Sequence, residues 1–402
     1  MADRNRATLL ELLTKPGNNV CADCKSPDPE WVSVNLGAFL CPECAGCHRN
    51  LGTHISRVRS IKLDNWEDDQ VQAVAELGNE VVNQKYEQFI PAYYKHPTKD
   101  DPDWYYAQKD LPTDKRFKLL RSEFVKAKYS RQEFMYPDRQ SAYCSGIKEG
   151  YLYKRGRDDK GFKKRRFCLT RKLNGHTLLY FIKEKDTAPK SEIDLDSVNV
   201  VFAKDKIGVN PNGLQITYFV NGQTRSLFVY ADDPKVMKKE NKEIVDWYYA
   251  IRAAKFEWRR IAHPQQEEKE LAEGLTTDFT LEGWLQKMGP KKKDGFKKRW
   301  FTLDNRKLMY SEDPLSPFPK GEVYIGHADG GYGVTMGAKD VRSSMVYVFT
   351  LNTPERDFIL SADTREDMDQ WAEAFKQIQT TEPTSQDLRQ KKMYDQTLAM
   401  RK

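Results

Sequence analysis

Two kinds of hydrophobic pattern divide the chain. Near the start, "MADRNRATLLELLTKPGNN" gathers Leu9, Leu10, Leu12 and Leu13 among charges, a short amphipathic helix stopped by Pro16-Gly17. Farther on, "TDKRFKLLRSEFVKAKYSRQEF" sets Phe117, Leu120, Phe124 and Ala127 at i, i+3, i+7 and i+10, one apolar helical face. The stretch before it, "YYKHPTKDDPDWYYAQKDLPTD", has no period and reads as an irregular loop. Beyond Glu149 the pattern turns to short β-branched and aromatic runs between turn residues: "GYLYK", "RRFCLT", "HTLLYFI", "LQITYFV" and "SLFVYA". An amphipathic helix, "NKEIVDWYYAIRAAKF", follows them. Residues 381–402 are polar and aperiodic and read as a disordered tail.

The strand-rich pattern occurs twice. "EGYLYKRGRDDKGFKKRRFCLT" starts at Glu149 and "EGWLQKMGPKKKDGFKKRWFTLD" at Glu282. Gly150 corresponds to Gly283, Lys154 to Lys287, Phe162 to Phe296 and Arg165 to Arg299. Each copy ends in a helix with a central tryptophan, Trp247 or Trp371, and the second copy has the shorter loops. A period this long means two copies of a whole domain. About seven strands and a terminal helix predict a small β-barrel with a helical plug. The expected architecture is therefore multidomain α+β: an α-rich domain over 1–135, seven-stranded barrels capped by a C-terminal helix over 147–256 and 279–380, and a linker over 257–278.

Composition narrows the function. The 402 residues are 39% hydrophobic and 31% charged, as in ordinary globular domains. No apolar run approaches the ~20 residues of a membrane span. The first residues do not form a signal peptide, and the cytosol is the expected compartment. The net charge of +7 is unevenly spread. Residues 150–190 carry +9 and residues 287–320 carry +6, which leaves −8 for the rest. Two basic islands in a mildly acidic body point to two sites for anionic ligands.

Five of the seven cysteines lie between positions 21 and 47. "CAGCH", from Cys44 to His48, has the spacing of a c-type haem attachment. The same Cys44 also completes Cys21-x2-Cys24-x16-Cys41-x2-Cys44, a four-thiolate zinc pattern. The haem alternative would strand the other three cysteines and need attachment outside the cytosol. The cluster is read as one structural Zn2+, with no open position for catalysis, and Cys47 as a small buried hydrophobe. One lysine against Asp23, Asp28, Glu30 and Glu43 argues against a nucleic-acid-binding finger.

"CADC…W…FLCPECAGCHRNLGTHISRVRS" resembles the GTPase-activating domain that acts on Arf-type small GTPases. The resemblance rests on the finger spacing, Trp31 ten residues after the first cysteine, His48-Arg49 after the last ligand, and Gly78-Asn79 downstream of "LDNW". It implies that Arg49 is an arginine finger supplied in trans to GTP-bound Arf, with Trp31 at the GTPase interface. Such fingers contribute roughly 10³–10⁵ in rate. Arg57 and Arg59 are close competitors; without the resemblance the choice among them is nearly even. Cys47 stands where that family usually has an aliphatic residue.

Both repeats resemble pleckstrin homology (PH) domains, and the whole chain outside the tail resembles the ArfGAP-with-dual-PH-domain family. The resemblance implies phosphoinositide pockets built from Lys154, Lys163, Arg165, Tyr180 and Lys190 in the first copy. Their counterparts are Lys287, Lys297, Arg299, Tyr310 and Lys320 in the second. The implied ligands are phosphatidylinositol 3,4,5-trisphosphate and its inositol tetrakisphosphate head group. The expected protein activates its partner's GTP hydrolysis rather than being an enzyme itself. It is cytoplasmic, recruited peripherally to the plasma membrane, with no nucleic-acid partner. The alternative is a phosphoinositide-regulated scaffold or adaptor that stimulates no GTPase.

Overall fold

The computed structural model describes residues 2–98, 119–173, 175–203, 213–233, 241–290, 294–337 and 345–401. Helix α1 (Ala2–Leu13) buries Leu9 and Leu12 against Val32, Phe39, Trp66 and Val74. A three-stranded antiparallel sheet follows: β1 (Trp31–Ser33), β2 (Ala38–Leu40) and β3 (Val58–Ser60), in the order β2-β1-β3. Helix α2 (Pro42–Arg49) leaves the end of β2, and helix α3 (Asp68–Tyr86) closes the unit. Helix α3 breaks at Gly78, where φ is +74° and a Cβ would stand 3.1 Å from the Asn18 Oδ1. The break aims Asn79 into the core. Its amide donates to the Gly17 and Val20 carbonyls, and its Oδ1 accepts from the Phe39 N–H. The Gly-Asn pair thus ties three chain segments together with buried hydrogen bonds.

Most of the irregular loop before residue 115, together with Phe117, lies outside the described residues. The apolar helical face beyond it forms helix α4 (Leu119–Val125) and a wider π-helical turn, Lys126–Ser130. Phe124 and Ala127 are fully buried there.

Each repeat is a seven-stranded antiparallel sheet with the same order. The first contains β4 (Lys148–Arg155), β5 (Phe162–Lys172), β6 (Gly175–Phe181), β7 (Ser191–Asp194), β8 (Asn199–Phe202), β9 (Gly213–Val220) and β10 (Gln223–Tyr230). Helix α5 (Lys242–Ala262) completes it, and the short helix α6 (Glu268–Ala272) follows. The second contains β11 (Leu281–Met288), β12 (Phe296–Asp304), β13 (Lys307–Ser311), β14 (Gly321–Tyr324), β15 (Gly333–Met336), β16 (Tyr347–Asn352) and β17 (Asp357–Ala362), completed by α7 (Arg365–Thr380). The first sheet runs β7-β6-β5-β4-β10-β9-β8, so its edge strands do not pair. These are sandwiches rather than the closed barrels expected from sequence. The reason is the terminal helix, which packs across β6, β8 and β9 and fills the gap between the edges. Its central tryptophan meets the same strand each time: Trp247 lies edge-on to Phe167, and Trp371 edge-on to Phe301.

The stretch read as a linker and the stretch expected to be disordered are both ordered. Residues 257–278 carry the last turns of α5 and all of α6. The Arg259 guanidinium donates to the Leu271, Glu273 and Gly274 carbonyls and folds this segment back, burying Leu271 and Leu275. Residues expected to form a disordered tail make helix α8 (Ser385–Arg401). Thr384 and Asp387 cap its start reciprocally, and Asp387 pairs with the buried Arg306 at 3.3 Å. Periodicity did not mark this helix: a cap and an ion pair hold its start, and Tyr394 lies against Tyr324.

The first unit and the first PH-like sheet share one core. Tyr249 of α5 stacks on Tyr94 at 3.8 Å, and the buried Arg252 donates to the Tyr93 carbonyl at 2.8 Å. Phe124, Phe134 and Tyr143 pack around the same Tyr94. The second PH-like sheet has its own core. Among the described residues no helix is long and apolar enough to cross a membrane.

Candidate functional site

Cys21 and Cys24 lie in a tight turn after Val20, closed by the Cys21 N–H to the Ser26 carbonyl at 2.7 Å. Lys25 takes a positive φ of 59° to make that turn. Cys41 caps helix α2, with Pro42 in its first turn, and the Cys44 N–H points at the Cys41 sulfur, 3.4 Å away. The hairpin β1–β2 brings the two turns together. All four sulfurs lie within 4.8 Å of one another, and the Cys24 and Cys41 sulfurs are 3.5 Å apart. Tetrahedral Zn–S bonds of about 2.3 Å place sulfurs about 3.8 Å apart, so the set fits one structural zinc. Cys47 is buried but outside the group.

The cluster is embedded among charges that sequence patterns did not single out. Arg121, from α4, is buried and donates to the Cys44 sulfur at 3.3 Å and to the Thr98 carbonyl at 2.9 Å. Asp23, between the first two ligands, is fully buried. It accepts from Lys128 at 3.0 Å, Tyr129 at 2.9 Å and the His48 Nε2 at 3.0 Å. Burial alone would push its carboxyl up, but Lys128 and His48 outweigh it and hold the group well below its usual range. Lys128, also fully buried, pairs with Glu87 at 2.7 Å and donates to Asn83 at 2.7 Å. Burial pulls its ammonium down, and the two carboxylates more than restore it. The other nitrogen of His48 meets the Ser56 hydroxyl at 2.8 Å, and Ser56 meets Ser33 of β1 at 2.7 Å.

This network fixes the residue before Arg49. Arg49 ends helix α2 and is exposed, its guanidinium 4.2 Å from the centre of the Trp31 ring. Among the described residues it has no carboxylate partner. Its two sequence competitors are placed differently. Arg59 is half-buried and donates to the Asn65 carbonyl at 2.5 Å. Arg57 is exposed on the loop entering β3, its backbone N–H held by Asn35.

In the first PH-like sheet, Lys154 on β4 faces Lys163 on β5 in register. The Lys154 ammonium sits 5.2 Å over the Tyr180 ring, and the Lys190 N–H donates to the Tyr180 carbonyl. Lys163 pairs with Asp159, and Arg165 donates to the Lys164 and Ile182 carbonyls. The second sheet repeats this. Lys287 faces Lys297 in register and sits 5.2 Å over Tyr310, whose carbonyl accepts from the Lys320 N–H. Glu312 stands 3.7 Å from Arg299 and 3.2 Å from Lys320. Each cluster has one more cation, from the final hairpin: Arg225 beside Lys154 and Arg356 beside Lys287. Burial first, then these arginines with Arg165 or Arg299, push Lys154 and Lys287 down to about 8. Their sequence signal is the repeat itself: Arg225 and Arg356 are 131 residues apart, close to the 133 between Lys154 and Lys287.

Residues 6–138 match the ArfGap family, described as "Putative GTPase activating protein for Arf". Residues 146–256 and 279–380 match the PH domain family. The chain is 39% identical to Arf-GAP with dual PH domain-containing protein 2 of Homo sapiens over 382 residues, 94% of this chain and 93% of that one. It is also 39% identical to the Rattus norvegicus protein of the same name over 383 residues, 94% of each chain.

Replacing Cys21 or Cys44 with Ser is expected to release zinc and unfold the N-terminal unit, because metal affinity is folding energy in such sites. Cys47→Ala is expected to keep one zinc per chain. Metal analysis of the purified variants, with circular dichroism, checks both.

Proposed function

Because the chain belongs to the family of Arf-GAPs with dual PH domains, we propose that it accelerates GTP hydrolysis by an Arf-type small GTPase with Arg49 as an arginine finger in trans. The observation that carries this is the placement of Arg49. An exposed guanidinium, unpaired with any carboxylate among the described residues, ends a helix that starts at a zinc ligand and is pinned by the buried His48. A guanidinium stays charged and offers a planar fork of donors, which suits the charge that develops on a γ-phosphate. Trp31 supports that guanidinium from its face and lies where the partner must approach.

The two cation clusters are proposed to bind the clustered phosphates of phosphatidylinositol 3,4,5-trisphosphate, or of inositol tetrakisphosphate in solution. Each offers a lysine over a tyrosine ring (Lys154 half-buried, Lys287 buried), a K-x-R strand and an arginine from the last hairpin. Two such sites on one chain multiply through effective concentration, recruiting it to the plasma membrane beside its GTPase.

Arg49→Lys is expected to remain folded and zinc-loaded, to bind the GTPase normally, and to lose about 10² or more in stimulated hydrolysis. Arg57→Lys is expected to keep most of it. Single-turnover GTP hydrolysis on vesicles compares the three proteins. Loss in Arg57→Lys with activity in Arg49→Lys would move the finger.

Arg165→Cys and Arg299→Cys are each expected to weaken binding to trisphosphate vesicles by about 1.5–3 kcal/mol, and together to abolish recruitment. Bound phosphates raise the pKa of Lys154 and Lys287 from about 8. Binding therefore takes up protons, and affinity falls as pH rises from about 8 toward the bound-state pKa. Vesicle sedimentation and calorimetry from pH 7 to 9.5 check both; a flat profile would deny these lysines a role.

A further inference from the structure

Among the described residues the second PH-like unit meets the first through the loop between β13 and β14 and through Lys307 and Glu322 on those two strands. The Arg155 guanidinium, at the base of the β4–β5 hairpin, donates to the Leu315 carbonyl and to the Asp313 carboxylate at 3.2 Å. Lys160, in the same hairpin, stands 3.5 Å from that carboxylate. The Ser226 N–H donates to the Pro317 carbonyl at 2.8 Å, and Phe318 lies 5.3 Å from the Arg225 guanidinium. Leu315 is buried against Ala203 and Phe228, beside Phe162. Behind the loop, Glu322 accepts from the Thr224 N–H at 2.8 Å and its hydroxyl at 3.1 Å.

Lys160 shares the hairpin leading to Lys163 and Arg165, and Arg225 is the cation beside Lys154; Arg155, next to Lys154 on β4, faces the other side of that strand and anchors the loop there. The loop therefore holds two cations that border the first cation cluster, and it presents them with a carboxylate and an aromatic ring. In the second unit the corresponding Arg356 lies over Phe358 of its own sheet, 4.2 Å away. The two clusters repeat in sequence but differ in setting.

We propose that the first cluster is a surface shared between a clustered-phosphate ligand and the Asp313–Phe318 loop of the second PH unit, so that the two compete for Lys160 and Arg225. The proposal rests on the first cluster being a phosphate site, as proposed above. A ligand with several phosphates draws these two cations toward itself. Asp313 loses Lys160, Phe318 loses Arg225, and the loop lets go. The same coupling runs in reverse: with the loop in place, the first site binds more weakly than its cations allow. The second unit then engages a membrane first, and the first engages fully only as the units separate.

The test uses the full chain carrying Arg299→Cys, which silences the second cluster. Asp313→Asn removes the loop's charge while an amide oxygen still caps the Leu315 N–H; Phe318→Ala removes the ring from Arg225. Calorimetry with inositol tetrakisphosphate reads the free head group, and sedimentation with trisphosphate vesicles reads the lipid. Each substitution is expected to tighten binding at the first site about fivefold or more, the lower end of typical couplings. Saturating head group is expected to speed amide exchange at Thr224 and Ser226, whose N–H groups the second unit accepts. If the first site binds and both substitutions leave its affinity unchanged or lower, the loop does not compete and the proposal fails, while the pocket stands. If no variant binds either ligand, the first cluster is not a phosphate site and both fail. Binding that appears only in the loop variants supports both. A gain on vesicles without a gain for the soluble head group would assign the effect to membrane contact and overturn the competition.

Discussion

The N-terminal half of the molecule is organised by one costly object, a buried cluster of four thiolates. Around a divalent ion such a set carries a net charge of about −2, and a dry interior tolerates it only with donors and cations close by. The sequence supplies them from a distance. Arg121 reaches the Cys44 sulfur from α4, and Lys128 reaches the carboxylate of Asp23 from the turn after it. These two residues make the last helical segment of the GTPase-activating unit part of that unit's metal site. Removing either would leave a buried charge without its partner, which typically costs about 3–5 kcal/mol.

That constraint carries through to the surface. Asp23 also holds His48, which holds Ser56, so the C-terminal end of α2 is fixed on both sides before any partner arrives. Pre-positioning matters for a finger because the geometry must already be right when charge develops. In the other direction, Lys128 and Phe124 lead into the aromatic cluster of Tyr94, Phe134 and Tyr143, which Tyr249 of α5 completes. The GTPase-activating unit and the first PH unit are thus one packed body, and the second PH unit joins it through polar contacts and a single buried leucine.

Much of this was legible from the sequence. Cysteine spacing gave the metal site because a C-x-x-C turn can present two sulfurs to one ion and little else explains two such turns. The repeat gave two equal sheets, each ended by a helix with a central tryptophan, Trp247 or Trp371. What stayed hidden depends on distance in the chain. Asp23 and Lys128 are 105 residues apart, and a lone buried lysine has no local signature. Arg225 and Arg356 sit on a hairpin far from the basic strand pair that draws attention. The helix over Ser385–Arg401 has a cap signal, Thr384-x-x-Asp387, but no apolar stripe to flag it. The expected barrels became sandwiches because strand patterns count strands without saying whether the edges meet.

The central claim is that the buried network, and not the zinc alone, positions Arg49. His48→Ala separates the two, because the His48 side chain bonds Asp23 and Ser56 rather than a metal ligand, yet precedes Arg49. The most direct measurement is single-turnover GTP hydrolysis by an Arf-type GTPase with zinc-loaded His48→Ala, titrated to give both the maximal rate and the half-saturating concentration. The account predicts one zinc per chain, a half-saturating concentration close to wild type and a maximal rate lower by about tenfold to a hundredfold, the scale of a small misplacement of a reacting group. A zinc-loaded His48→Ala protein that stimulates hydrolysis at the wild-type maximal rate would contradict it.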